Sequence, residues 1–407
     1  MPAIDTITAL TAFEGRGPTS DAERRAALWL RKELGGSGRS ARIEPFWCRP
    51  NWALAHAWHA ALGLAGGLVA VYHPTIGGAI VLAALLFVLG DAVTGVSPGR
   101  RLTPERASQN VVARRDEPVH DERLALILTA NYDSGRMGLV YRGGLRRAVA
   151  RLARGGPGWL AWLSAALLWM LAIAAARMMG SRGTTTGILQ LPPTIALVLA
   201  VALLLELGSA PIGPGASDNA SGVAVVLALA RALDVAPPAS LRVEAVLTGT
   251  GDAGGIGLRR YLRAHRGELA PENAIVLGFS ACGAGSPRWW ERDGALIPLA
   301  YHPRLRELCA GIAAAEPHLG AAPYRGRGGA PALPARMAGL PAITLGCRDE
   351  RGLAPRSHEP GDTANGVDRA AVDAAIELAL MLVDAIDAEV ATARAQSSGA
   401  PSSLTPA

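Results

Sequence analysis

Apolar positions cluster along this chain instead of spreading evenly. Residues 53–71, 76–93, 159–178 and 188–207 are almost unbroken apolar runs, each near the roughly 20 residues a helix needs to cross a hydrocarbon core. The third run is the clearest: Trp159, Trp162 and Trp169 put indoles at one end and within it, as an interfacially anchored helix does. Asp91 closes the second run, and Pro192, Pro193 and Glu206 interrupt the fourth. Buried helices of a large core share this composition, but the spacing favours pairs. Tyr72 to Thr75 form a tight turn between the first two runs, and a polar turn over 182–186 separates the last two. Two helical hairpins are expected, 53–95 and 158–208. An even number of spans returns the chain to the side it left, so both enter the membrane from a body on one face.

The rest of the chain has shorter periods. Ser20 and Glu23 make a capping box ahead of a helix whose Ala27, Leu28, Leu30 and Leu34 recur at helical spacing. Strands are expected at 110–113, 124–130, 241–248, 274–279 and 342–345, and helices at 223–233, 256–265, 303–315 and 367–391. This alternation indicates an α/β sheet with helices on both faces. The body then comprises residues 1–52, 96–157 and 209–393, with a Ser/Pro/Ala-rich tail, 394–407, expected to be disordered.

Composition and charge extend the membrane reading. Half of the residues are hydrophobic and 18% charged, below the usual charged share of about 25%. Arginines 100, 101, 106, 142, 146, 147, 151 and 154 lie on the body side of the spans, whereas the hairpin tips carry Arg177 and Arg182. The positive-inside bias puts the body in the cytoplasm and the four spans in the inner (plasma) membrane. The net charge of +6 reads as lipid-headgroup contact and not as nucleic-acid binding. Residues 1–12 show no basic start ahead of an apolar run, so no cleaved signal is expected. Cys48, Cys282, Cys309 and Cys347 lack metal-type spacing and suit reduced thiols. His56, His59 and His73 lie in or beside the first hairpin, where an ionisable group is a functional candidate, although packing is the simpler reading.

Six segments carry chemistry in order. They are the helix after Phe13-Glu14-Gly15-Arg16, the strand over 108–113, Asn131-Tyr132-Asp133-Ser134, the turn around Asp218, the segment 248–261, and Ser357-His358-Glu359-Pro360-Gly361-Asp362. In that order and spacing the chain resembles the co-catalytic di-zinc aminopeptidases of metallopeptidase family 28. The resemblance implies a mixed-sheet, three-layer α/β zinc-exopeptidase fold of the phosphorylase/hydrolase type, with the hairpins inserted. It also implies a water activated between two zinc ions by a Glu base.

Position by position the inheritance is incomplete. Asp218 falls on the bridging carboxylate and His358 on the last imidazole, with Asp362 following it, and Asp133 falls on the carboxylate that orients the first His. Asn131 replaces the first His, Ser280 the Asp after the next strand, and Gly251-Asp252 the Glu-Glu pair of base and ligand. The resemblance thus leaves Asp218, Asp252 and His358 as metal ligands and no base. A shift of one register would make Asp252 the base and Ala253 the ligand position. One zinc or other divalent cation, or none, is expected. Glu206, Asp349, Glu350 and Glu359 are conceivable substitutes that read more simply as solvated charges, and Gly326 to Gly329 as an altered substrate-side loop. Three readings stay open: a pseudopeptidase binding a peptide or membrane-associated partner, a single-metal aminopeptidase, and a membrane scaffold or transporter subunit. Because the second hairpin lies between Asp133 and Asp218, the cleft is expected at the membrane surface.

Overall fold

The computed structural model describes residues 2–115, 123–152, 158–181 and 183–398. Arg154 and Arg182, two of the charges used above, lie outside them. The chain opens with α1 (Ala3–Thr11), α2 (Asp21–Gly35) and β1 (Ser40–Cys48) before a first helical pair, α3 (Trp52–Val69) and α4 (Pro74–Thr94). The short α5 (Pro98–Arg101) leads to β2 (Arg106–Arg114) and β3 (Leu124–Asn131). Next come α6 (Gly143–Leu152) and the second pair, α7 (Trp159–Met178) and α8 (Thr184–Ser209). The remainder alternates: α9 (Gly222–Val235), β4 (Leu241–Thr248), α10 (Ile256–Ala264), β5 (Ala274–Phe279), β6 (Ser286–Asp293) and β7 (Leu299–Ala300). It ends with α11 (Pro303–Ala315), β8 (Ala322–Arg325), α12 (Leu333–Met337), β9 (Ala342–Arg348) and α13 (Arg369–Ser398).

All nine strands form one mixed sheet in the order β1-β2-β4-β3-β5-β9-β6-β7, with β8 beside β6. The centre, β4-β3-β5-β9, is parallel, and β1, β2 and β6 join antiparallel. Side-chain alternation builds two cores. Leu126, Leu128, Leu277 and Phe279 face α1, α2, α9 and α13, while Ile127, Val246 and Val276 face α10 and α12. This is the expected three-layer α/β body. All five expected strands are present. The strands β1, β6, β7 and β8 escaped the sequence reading because charged and prolyl positions in Ser40–Cys48 and Ser286–Asp293 hide the alternation.

The two helical pairs meet as a bundle in which α3 and α7 each pack on both α4 and α8. Small residues allow close approach: a Cβ at Gly77 would lie 2.3 Å from the Ala70 nitrogen, the device that brings membrane helices together. Near the tip, Arg177 donates to Gln190 (2.9 Å), whose amide donates to the Gly67 carbonyl (2.9 Å). Near the body, Asp91 accepts from Arg100 Nε (2.9 Å) and Ser97 Oγ (2.9 Å), and His56 Nε2 lies 3.1 Å from it. Large apolar side chains such as Leu68, Leu86, Ile188 and Leu199 are exposed on the outside of the bundle.

Three features correct the sequence reading. Among the described residues, three helices are long and apolar enough to cross a membrane, α4, α7 and α8. The first expected span, α3, is not one of them, because His56, His59 and its glycines dilute its apolar character. The second and fourth helices are longer than the apolar runs: α4, which contains Asp91, covers Pro74–Thr94, and α8, which contains both prolines, covers Thr184–Ser209. The final helix continues to Ser398, so a tail boundary at 394 falls inside it.

Candidate functional site

The site lies at the carboxyl ends of the parallel strands, where open α/β sheets bind their ligands. Asn131 ends β3, Gly251 and Asp252 follow β4, Ser280 follows β5 and Arg348 ends β9. Asp218 comes from the turn before α9, which Gly215 enters at φ 65°. A Cβ at Gly215 would lie 2.5 Å from Ser134 Cβ, so only glycine fits. Asp362 holds this turn from below, accepting Ser217 N (2.7 Å) and Asp218 N (3.1 Å), and burial pushes its carboxyl up to about 6.

His358 has φ 60° and stacks on Tyr141 at 4.2 Å between centroids. Its Nδ1 lies 3.1 Å from the Arg136 carbonyl, which can only accept, so Nδ1 carries the proton. Nε2 thereby turns toward Asp218 Oδ2 (3.6 Å) and Asp252 Oδ1 (3.7 Å). Ser357 Oγ also donates to Asp218 Oδ2. The three residues expected to share a metal are thus neighbours, and Asp252, not Ala253, faces the imidazole.

Two buried carboxylates support the 249–252 loop. Asp133 accepts from Gly251 N (2.8 Å) and Asp252 N (3.0 Å); burial and the nearby Glu23 and Asp252 charges push its carboxyl well up. Glu23 accepts from Thr250 N (2.7 Å) and Ser108 Oγ (3.0 Å), and burial pushes it up to about 7. Asp133 therefore orients loop backbone here and not an imidazole. Its neighbour Arg16 is buried, and desolvation lowers the guanidinium to about 10.

The opposite wall is built differently. Asn131 Oδ1 accepts from Asn219 Nδ2 (3.0 Å), and its own Nδ2 lies 3.3 Å from Asp133 Oδ1. A Cβ at Gly251 would lie only 2.0 Å from Asn131 Cβ. Ser280 Oγ accepts from Arg348 Nη2 at 3.0 Å, and that guanidinium lies over Trp290 (4.6 Å) and Tyr324 (5.4 Å).

These donors test the fit of a metal. One imidazole and two carboxylates suit a single divalent cation, although the side chains do not close around a common point, and no other group of three or more His, Cys, Asp or Glu does so among the described residues. The second position fits poorly: beside the shared Asp218 it has only the Asn131 amide and the Ser280 hydroxyl, which is already paired with a guanidinium.

Residues 207–383 match the family model Peptidase family M28. They belong to the M28 peptidase family. An 89-residue segment, 22% of the chain, is 35% identical to the probable lipoprotein aminopeptidase LpqL of Mycobacterium tuberculosis; it spans only 18% of that protein. The fold resembles a zinc aminopeptidase from Bacillus subtilis (TM-score 0.54, 13% identity, 94% of this chain and 93% of that one). It also resembles glutaminyl cyclase from Bacteroides thetaiotaomicron (TM-score 0.54, 11% identity, 94% and 96%) and an aminopeptidase from Aneurinibacillus (TM-score 0.52, 15% identity, 94% and 92%). At these identities the structures establish the fold alone.

Around this M28 body the suggested acidic substitutes stay away from the site. Glu206 accepts from Leu139 N (2.9 Å), Glu359 pairs with Arg146 (2.6 Å) and Asp349 caps its own turn at Leu353 N (2.8 Å). Glu350 is exposed. The four cysteines are free and buried. Sequence reasoning missed Arg348, Tyr141 and the role of Glu23. Arg348 sits at the end of a strand read only to 345, and nothing local in the sequence marks its contact with Ser280.

Proposed function

We propose that this chain is a membrane-anchored M28-type protein that no longer hydrolyses peptides by the two-metal route and uses the inherited cleft to bind a membrane-associated partner, of peptide or other chemistry. The observation that carries this reading is at Gly251. The general base needs a carboxylate there, and Asn131 occupies the space its Cβ would take. Glycine at 251 offers none, and the β-carbon of residue 131 stands against any side chain placed there. Arg348 on Ser280 puts a fixed positive charge where the second cation's ligand stood.

Four spans, with α3 accompanying the three more apolar helices, and a cytoplasmic body complete the proposal. Their support is the apolar outer surface of the bundle and the arginines on its body side.

The test is zinc stoichiometry and turnover of aminoacyl chromogenic substrates by detergent-purified protein, with Asp218→Ala and His358→Ala alongside. Zinc-independent absence of turnover is expected. Zinc-dependent hydrolysis lost in both variants would overturn the proposal in favour of a single-metal aminopeptidase. One observation favours that second reading: His358 Nδ1 on the Arg136 carbonyl leaves Nε2 free toward both aspartates, as metal-bound imidazoles are held. A scaffold or transporter subunit would bind other chains with no ligand in the cleft.

A further inference from the structure

One cavity of about 870 Å³ is lined both by Asp218, His358 and Arg348 and by the body-side ends of α7 and α8. This volume falls among the roughly 300–1,000 Å³ typical of ligand sites. Its two ends differ in chemistry. At the body end Arg348 and Arg327 line it, and the hydrogen-bond acceptors of Arg348 are neutral oxygens, Ser280 Oγ (3.0 Å), Ala281 O (3.3 Å) and Cys347 O (2.7 Å). Its aromatic support fixes the plane of the guanidinium without neutralising it.

The bundle end is lined by Leu163 of α7 and by Ala196, Leu203, Leu204 and Leu207 of α8. From Ala196 to Leu207 the helix advances roughly 16 Å at about 1.5 Å per residue. That is about half of a ~30 Å hydrocarbon core. The α8 side chains at this depth carry no hydrogen-bonding groups, and the polar groups of the bundle that line the cavity, His56, Asp91 and Arg100, are paired with one another near the body. A peptide backbone there would leave its amides unsatisfied; an acyl chain has none. Trp162 (49% exposed) and Ile297 (68% exposed) both line the cavity and face outward, so the rim is apolar where α7 leaves the body.

We infer that this cavity binds an amphiphile with an anionic head, phosphate or carboxylate, drawn from the bilayer: the head pairs with Arg348 and Arg327, and an acyl chain lies along α7 and α8. The inference rests on the membrane-anchored reading above and names the chemistry of its partner.

Native mass spectrometry of delipidated, detergent-solubilised full-length protein tests it, with phosphatidic acid, a long-chain fatty acid, phosphatidylcholine and inorganic phosphate as probes. A one-to-one adduct with the anionic amphiphiles is expected, the stronger of the two telling phosphate from carboxylate heads. Phosphatidylcholine and free phosphate should bind far more weakly. Arg348→Ala and Arg327→Ala should each weaken the adduct roughly tenfold, the loss of one charge-assisted bond. Ala200→Leu, or Leu204→Trp if that variant folds, should exclude the chain. Zinc content and turnover of the unaltered protein, measured in parallel, separate this result from the fate of the peptidase reading. Equal binding of phosphatidylcholine, or an adduct unchanged in the arginine and cavity-filling variants, overturns the inference. So does a peptide adduct formed in place of the lipid. Failure of the membrane reading itself would appear separately, as extraction of the protein from membranes by carbonate without detergent.

Discussion

On one side of the cleft Asp218, Asp252 and His358 keep the donors of a metal site; on the other, Asn131, Gly251 and Ser280 have replaced theirs with an amide, a hydrogen and a hydroxyl. The first trio is held by backbone: Asp362 under the Asp218 turn, Asp133 under the Asp252 loop and the Arg136 carbonyl behind His358. The second trio is held by side chains that fill one another's space, Asn131 against Gly251 and Arg348 against Ser280. Supports that serve the loops also serve folding, so they are retained whether or not turnover is. Ligand side chains have no such second duty. Retained acidic residues at this site are therefore weak indicators of turnover.

The largest effect is expected from Asp133→Ala, which removes the acceptor for two loop amides and the charge near buried Arg16. Stability should fall by about 2–5 kcal/mol, from two loop amides left without an acceptor at about 1–3 kcal/mol each, measured by chemical denaturation in detergent. A loss no larger than that of a surface substitution would mean that the loop does not depend on this support.

Glu23 gives a pH dependence. Its carboxyl is raised from the ordinary 4.5 to about 7, so the native state holds the proton more tightly than the unfolded chain. The resulting stability is whole below about 4.5 and is lost as pH rises through about 7, a few kcal/mol at roughly 1.4 kcal/mol per unit. Thermal midpoints should fall between about pH 5 and about pH 8, and Glu23→Gln should flatten that slope.

Restoring the missing groups one at a time tests the second wall. Gly251→Glu forces a side chain into Asn131 and should cost about 1–3 kcal/mol by overpacking, with no gain in peptide turnover; adding Asn131→Ala should recover part of the loss. Ser280→Asp should pair with Arg348 and stabilise by up to about 1 kcal/mol, without zinc uptake in elemental analysis. Zinc binding by Ser280→Asp alone would show that the guanidinium does not hold the position.

Much of this was legible in the chain. The apolar runs gave the paired helices, since length and composition are properties of a segment alone. The five central strands were legible because strands buried on both faces leave unbroken apolar runs. Strands outside that set such as Ser286–Asp293, with charges interleaved among apolar positions, were not. Pro192, Pro193 and Asp91 interrupt the apolar pattern without ending a helix, and the reason also lies between elements. In α8 neighbouring helices take over from the lost amide bonds, and Asp91 finds Arg100, Ser97 and His56 in partners that sequence spacing does not reveal.

At the site, the residue types at 131, 218, 251, 252, 280 and 358 were fixed by sequence, and with them the loss of the base and of two ligands. Tertiary structure alone decided that Asp252 faces His358, that Gly251 lies against the β-carbon of Asn131, and that Arg348 reaches Ser280 across a distance of 68 residues in the chain. It alone joined the cleft to the helical bundle in one cavity. The physical reason is the same throughout: composition and period act within one element, whereas steric exclusion and ion pairing act between atoms that only folding brings within a few ångströms.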